Sequence, residues 1–256
     1  MKNNLSKSIT IIAAFLIALF GKKLLFYFFD FKLEISSNLL QIAYYYAWWI
    51  IPVVISLLLI YGFRNIMEEL RLNQSITKGI LWASVMVIPM YIGSITTGTL
   101  NSDITAVRLI HLTLLAGFFE EVFFRGFLFG QLFRKLKWGF IPAVTLNALA
   151  FASGHLYQGS TFNETLGVFI VTLMGGAWFA WLFIEWNENI WIPIALHTLM
   201  NLSWILFNVS ETALGGMSAN IFRATTITIS ILITIRYAKK NGGLKINRKN
   251  LIVNHN

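Results

Sequence analysis

Glu120, Glu121 and Arg125 stand together in Ala116-Gly-Phe-Phe-Glu-Glu-Val-Phe-Phe-Arg-Gly126, a run that is otherwise apolar. Holding even one ionised group in hydrocarbon costs at least ~2.5–3.5 kcal/mol on insertion scales, and groups kept there are functional by default. On an α-helix Glu121 and Arg125 are i,i+4 neighbours with the acid on the N-terminal side, the better order for an ion pair. Glu120 is five residues from Arg125, roughly 140° around such a helix. The expected division is a structural pair, Glu121 with Arg125, and a second carboxylate, Glu120, turned toward something else. A buried packing cluster that ties helices together is the alternative reading of the same three residues.

Two further apolar segments carry polar side chains suited to acid–base work. In Asn147-Ala-Leu-Ala-Phe151-Ala-Ser-Gly-His155, the residues Asn147, Phe151 and His155 recur every four positions and share one helical stripe. In Trp191-Ile-Pro-Ile-Ala-Leu-His197-Thr-Leu-Met-Asn201, His197 and Asn201 share a face in the same way. Hydrocarbon offers a lone imidazole or carboxamide no partner, so these patches are expected to converge on the acidic pair. Taken singly, each histidine is equally readable as an interhelical tie. His111 and His255 lack such company and are set aside.

The elements that must position these groups are membrane helices. Hydrophobic residues make up 57% of the 256 and charged residues 12%, with a mean hydropathy of +0.68. A soluble domain carries about 25% charged residues, so the expected fold is an all-α, polytopic bundle of about eight transmembrane helices. The candidate spans are 8–29, 39–62, 78–98, 104–133, 138–155, 163–184, 191–208 and 219–237. Lys22 and Lys23 interrupt the first, so they must snorkel or face a cavity. Between spans two and three, the mixed pattern from Arg64 to Thr77 suits an amphipathic helix on the membrane surface. The Gly-Gly pair at 175–176 suits close helix packing and that at 215–216 a turn. No cysteine is present, which excludes disulfides and thiolate chemistry.

Charge sets the orientation. With the N-terminus inside, fourteen of the 20 lysines and arginines fall on the cytoplasmic side, including Arg71, Arg134, Lys135 and the run from Arg236 to Lys249. Lys32, Arg108 and Arg223 fall outside. This positive-inside bias accounts for the net charge of +9 without nucleic acid as a partner. The expected organisation is one membrane domain over 1–238 and a basic cytoplasmic tail over 239–256, resting on anionic headgroups.

The three motifs resemble those of the CAAX-protease and bacteriocin-processing or immunity family of intramembrane endopeptidases, also called the Abi family. Glu120-Glu121-Val-Phe-Phe-Arg125, Phe151-Ala-Ser-Gly-His155 and His197-Thr-Leu-Met-Asn201 occur in family order within 82 residues. The specific part of the resemblance covers about 110–205. It implies peptide-bond hydrolysis inside the bilayer, with a membrane-associated protein or peptide as substrate. The low charge, the absence of cysteine and the compact loops suit a bacterial plasma membrane, and the basic residues put both termini in the cytoplasm. Glu120 would be the general base. His155 would share the water or pass a proton to the leaving amine, and His197 with Asn201 would stabilise the oxyanion. Glu121 and Arg125 would fix the field around Glu120.

A metal-dependent version would use Glu120, His155 and His197 as three ligands to Zn²⁺, leaving one position for water. No His-Glu-x-x-His helix announces zinc, and the metal-free version, with no cofactor, is the reading taken. The alternative from another class is a non-catalytic membrane protein acting in bacteriocin immunity, scaffolding or transport. Single cysteines introduced at the two ends and at 209–218 should label from opposite faces, the ends only from inside. Labelling of the tail from outside intact cells would reverse the orientation.

Overall fold

The computed structural model describes residues 2–29, 35 and 37–254. Lys32 and His255 lie outside the described residues. Among those described, all regular structure is helical apart from an isolated bridge between Trp138 and Val253. Its rods are α1 (Lys2–Phe29), α2 (Asn38–Tyr61), α3 (Ile76–Thr97), α4 (106–135), α5 (Phe140–Ser153), α6 (Phe162–Glu185), α7 (Trp191–Leu206) and α8 (Met217–Lys240). They fall on the eight apolar segments of the sequence. Five of them, α1, α2, α3, α6 and α8, are long and apolar enough to cross a membrane, and the chain is an integral membrane protein. At 14 and 16 residues, α5 and α7 fall short of the roughly 20 that a crossing needs.

Helix α4, which carries the acidic pair, is not a regular α-helix. It is α-helical over Ala106–Ile110 and Ala116–Glu121 but π-helical over His111–Leu115, Val122–Phe129 and Gln131–Lys135. Hydrogen bonding from i to i+5 widens the turn, and such stretches recur at functional sites. The 140° assigned to Glu120 and Arg125 assumed 3.6 residues per turn, so from Val122 onward it does not describe this helix.

Two apolar cores flank α4. On one side Phe123, Phe124 and Phe127 pack with Ile11 and Phe15 of α1 and with Val53 and Leu57 of α2. The other core joins Met86 and Val87 of α3, Leu182 and Trp186 of α6, and Ile192 and Leu196 of α7. Small residues allow close approach: a Cβ on Gly117 would stand 2.3 Å from Thr198 Oγ1, and one on Gly176 would stand 3.1 Å from Ala148 Cα. In α8, Thr226, Ser230 and Thr234 form a buried stripe every four residues. Ser230 and Thr234 accept the indole N–H groups of Trp178 and Trp186, as interhelical hydrogen bonds do in membranes.

The amphipathic surface helix expected over Arg64 to Thr77 does not form. The stretch is a 3₁₀ turn at Phe63–Asn65 and one α turn at Ile66–Glu69. Glu69 explains the difference, because its carboxylate is buried and receives Lys135 Nζ at 2.9 Å. Its backbone carbonyl accepts Gln131 Nε2 and Arg134 Nη1, both at 3.0 Å. The segment is therefore drawn into the bundle. The residues after α8 fold back as well. Lys245 and Ile246 donate their backbone N–H groups to Glu185. Asn250, Leu251 and Ile252 offer their carbonyls to the N–H groups of Phe140, Ile141 and Gly139. Those three donors belong to the first turn of α5, where a helix has no intrahelical partners of its own.

Glu188 Oε2 accepts Arg134 Nε and Arg71 Nε, both at 2.7 Å, and joins three connections at one end of the bundle. Asn187, Glu188 and Arg71 all hold left-handed backbone angles, with φ of 57°, 58° and 60°, which the cluster must maintain. Burial works to raise the Glu188 carboxyl, but the charges of Arg134 and Arg71 and their hydrogen bonds outweigh it and hold it below its ordinary 4.5. The folded protein thus binds this proton less tightly than the unfolded chain. Its stabilisation is complete above about pH 4.5 and is lost as pH falls through the lowered value. Melting curves of Glu188→Gln and the wild type should differ at neutral pH and converge in that acid window. An equal gap at every pH would contradict the assignment.

Candidate functional site

The acidic pair is divided much as its chemistry demands. Glu121 and Arg125 are completely buried, with Arg125 Nη1 2.9 Å from Glu121 Oε1. His197 Nδ1 stands 2.7 Å from the same oxygen, so one carboxylate oxygen joins α4 internally and to α7. Glu120 takes the other side. Its Oε2 lies 3.9 Å from His197 Nε2, and that oxygen is buried without a hydrogen-bond partner.

Aromatic faces and one carbonyl enclose the guanidinium. Arg125 Cζ lies 4.4 Å from the Phe151 ring centre, 5.4 Å from Phe179 and 5.9 Å from Phe124. Cation–π attraction is strongest where water is excluded. Arg125 Nη2 donates to the carbonyl of Gly176 at 3.4 Å. The imidazole of His197 leans on Phe179, with centroids 5.5 Å apart, and meets Phe151 edge-on at 6.4 Å. Phe151 thus packs against both Arg125 and His155, whose ring centre lies 4.5 Å from its own.

Of the six residues read from the sequence, Glu120, Glu121, Arg125 and His197 form one contiguous cluster. Asn201, one turn along α7, donates Nδ2 to the carbonyl of Leu112 at 3.0 Å. Leu112 lies in the first π-helical stretch of α4, so Asn201 fastens α7 to the widened helix. His155 lies just past the last turn of α5, with Nδ1 2.8 Å from the carbonyl of Phe151. Among the described residues neither carboxylate reaches it. Asn147 is fully buried one turn earlier, and both of its amide atoms lack partners.

Sequence reasoning missed a wall of this site. Tyr46 of α2 is buried and stacks on Phe119 at 4.0 Å. Its ring meets His111 edge-on at 5.8 Å and Tyr45 at 5.1 Å. His111, set aside from the sequence, therefore stands one ring away from Phe119, the residue before Glu120. The available signal was the run Tyr44-Tyr-Tyr46-Ala-Trp-Trp49, which brings three hydroxyls to membrane depth.

The residues do not fit the zinc set. Glu120, His155 and His197 do not gather as a shell, and among the described residues no three His, Asp or Glu side chains are placed to hold a metal ion. His197 turns Nδ1 to Glu121, and His155 turns Nδ1 to a backbone carbonyl.

The family model described as type II CAAX prenyl endopeptidase Rce1-like matches residues 101–203. Comparisons with curated proteins and with solved structures return no match. The matched stretch holds all three motifs and every member of the cluster around Glu121. Replacing Glu121 with glutamine leaves both Arg125 and His197 without their anionic partner, and breaking a buried pair costs about 3–5 kcal/mol. Glu121→Gln should lower the melting temperature markedly. The double variant Glu121→Gln/Arg125→Gln should be more stable than the single effects predict. Additive losses would mean that the two side chains do not act as a pair.

Proposed function

We propose, from the match of residues 101–203 to the type II CAAX prenyl endopeptidase Rce1-like family model, that this chain is an intramembrane endopeptidase that hydrolyses peptide bonds through a water activated by Glu120. Its substrates are membrane-associated proteins or peptides of CAAX-like character. It works in a bacterial plasma membrane with both termini in the cytoplasm, as the basic residues direct.

One observation carries the proposal. Glu121 is fully enclosed and its Oε1 is held by Arg125 and His197, whereas the Glu120 side chain is 20% accessible and has no partner nearer than His197 Nε2 at 3.9 Å, although Oε2 of both acids lacks a hydrogen bond. A carboxylate oxygen with free lone pairs in a desolvated site has what a general base requires. In the proposed reaction Glu120 takes a proton from water, and the hydroxide attacks the scissile carbonyl. The C–N bond then breaks as the amine receives a proton.

His197, anchored through Nδ1, turns Nε2 into the volume where the oxyanion would form. The Asn201 amide has two N–H donors; one holds Leu112, and the second serves the oxyanion. His155, across the Phe151 ring, delivers the proton to the departing amine.

Glu120→Gln tests the assignment because it keeps size and hydrogen bonding while removing the base. Purified protein in nanodiscs, offered a membrane-peptide library, should lose at least about 10²-fold in turnover with its melting temperature nearly unchanged. Full activity in Glu120→Gln would remove the base from the scheme, and the scaffold reading would take its place.

A further inference from the structure

A groove of about 1110 Å³ lies between α1, α2 and the start of α4. Its walls are apolar and aromatic, with Leu19, Phe26, Trp48, Trp49 and Val107 among them. Three cations line it, Lys22, Lys23 and Arg108, and no acidic side chain among the described residues does. The Lys22 ammonium sits 4.8 Å above the Tyr44 ring, an attraction that holds it at the groove. These are the two lysines whose place in an apolar helix called for a cavity or for snorkelling. Tyr45 and His111 also line the groove, and both meet the ring of Tyr46, which stacks on Phe119, the residue before Glu120. The groove therefore runs from a cationic region to the aromatic wall beside the proposed base.

We propose that this groove is the docking channel of the substrate and that it selects a peptide with an acidic group about five residues from the cleaved bond. The inference rests on the peptidase reading of Glu120. Arg108 stands twelve residues before Glu120 on the same helix, a rise of at most roughly 18 Å at the α-helical 1.5 Å per residue, which the π-helical turn at His111–Leu115 shortens. An extended peptide covers about 3.3–3.6 Å per residue, so about five residues bridge the cationic region and the base. Charge complementarity makes the recognised group an anion. The end toward Glu120 makes the occupant a peptide, because the Tyr45 hydroxyl and the His111 imidazole there need hydrogen-bonding partners. A peptide backbone supplies them, whereas an acyl chain would desolvate them without return.

The test uses the full-length protein in phosphatidylcholine nanodiscs and a neutral apolar peptide along which a single Glu or Gln is scanned. The Glu member placed about five residues from the cut should show a KM about tenfold lower than its Gln counterpart, with similar kcat. In Lys22→Gln/Lys23→Gln/Arg108→Gln the Glu-to-Gln ratio of kcat/KM should fall to about one. Fluorescence anisotropy of the labelled peptides on Glu120→Gln reads the same preference without turnover. If the wild type cleaves no peptide but the anisotropy preference holds and depends on the three cations, the groove stands and the peptidase reading falls. If Glu and Gln peptides are cleaved and bound equally, the groove proposal is overturned while the peptidase reading survives. Brominated phosphatidylglycerol that quenches tryptophan fluorescence in the wild type but not in the triple variant, with both peptides bound equally, would also overturn it, assigning the cations to a lipid headgroup.

Discussion

The structure depends on keeping one carboxylate ionised where water does not reach. A lone buried carboxylate pays several kcal/mol of desolvation, and a pair offsets this only when the remaining donors and acceptors are also engaged. Glu121 meets part of that demand through two partners on Oε1, Arg125 and His197, while its Oε2 and Arg125 Nε stay unpartnered. Arg125 in turn needs the Gly176 carbonyl and three aromatic faces. Each demand recruits another helix: α4 supplies the pair, α7 the imidazole, α6 the carbonyl and Phe179, and α5 Phe151. The local glycines follow from this geometry. Gly117 lets α7 approach α4 at Thr198, and Gly176 lets α6 approach α5 at Ala148.

With Glu121 holding Arg125 and His197, Glu120 is released from structural duty. The two acids share a peptide bond yet face different tasks, one holding helices together and the other open toward the volume that His197 Nε2 also borders. This division also places the aromatic side chains. Tyr46 and Phe119 stack over the Glu120 side, while Phe151 and Phe179 cover the Arg125 side.

Much of this was legible in the sequence, and for a physical reason. Apolar runs broken by basic turns determine where membrane helices begin and end, so the eight rods coincide with the eight segments read from hydropathy. Ionisable groups in such runs must find one another, so the link between Glu121 and His197 follows from the scarcity of partners. What sequence could not supply was register. Nothing in Val122–Phe129 distinguishes a π-helix from an α-helix by composition, and the angular separation of Glu120 from Arg125 depends on that choice. Asn201 illustrates a similar limit, since its partner is a backbone carbonyl and every residue has one. The surface-helix reading over Arg64 to Thr77 failed because Glu69 looks like a solvated acid until Lys135 and Arg134 are brought to it from far along the chain. His111 looked isolated because Tyr46, its neighbour, lies 65 positions earlier.

The clasp between the residues after α8 and the start of α5 has a consequence in time. A ribosome adds residues at about 5–20 per second, and Phe140 must wait for the carbonyl of Asn250, about 110 residues later, for its N–H to be paired. For roughly 5–20 s, then, the helix that carries Phe151 and His155 lies in the nascent bundle with its first turn unfastened. The cleft can acquire its finished shape only once Asn250 has been made, so a shorter nascent chain lacks the clasp that fixes the helix bearing Phe151 and His155.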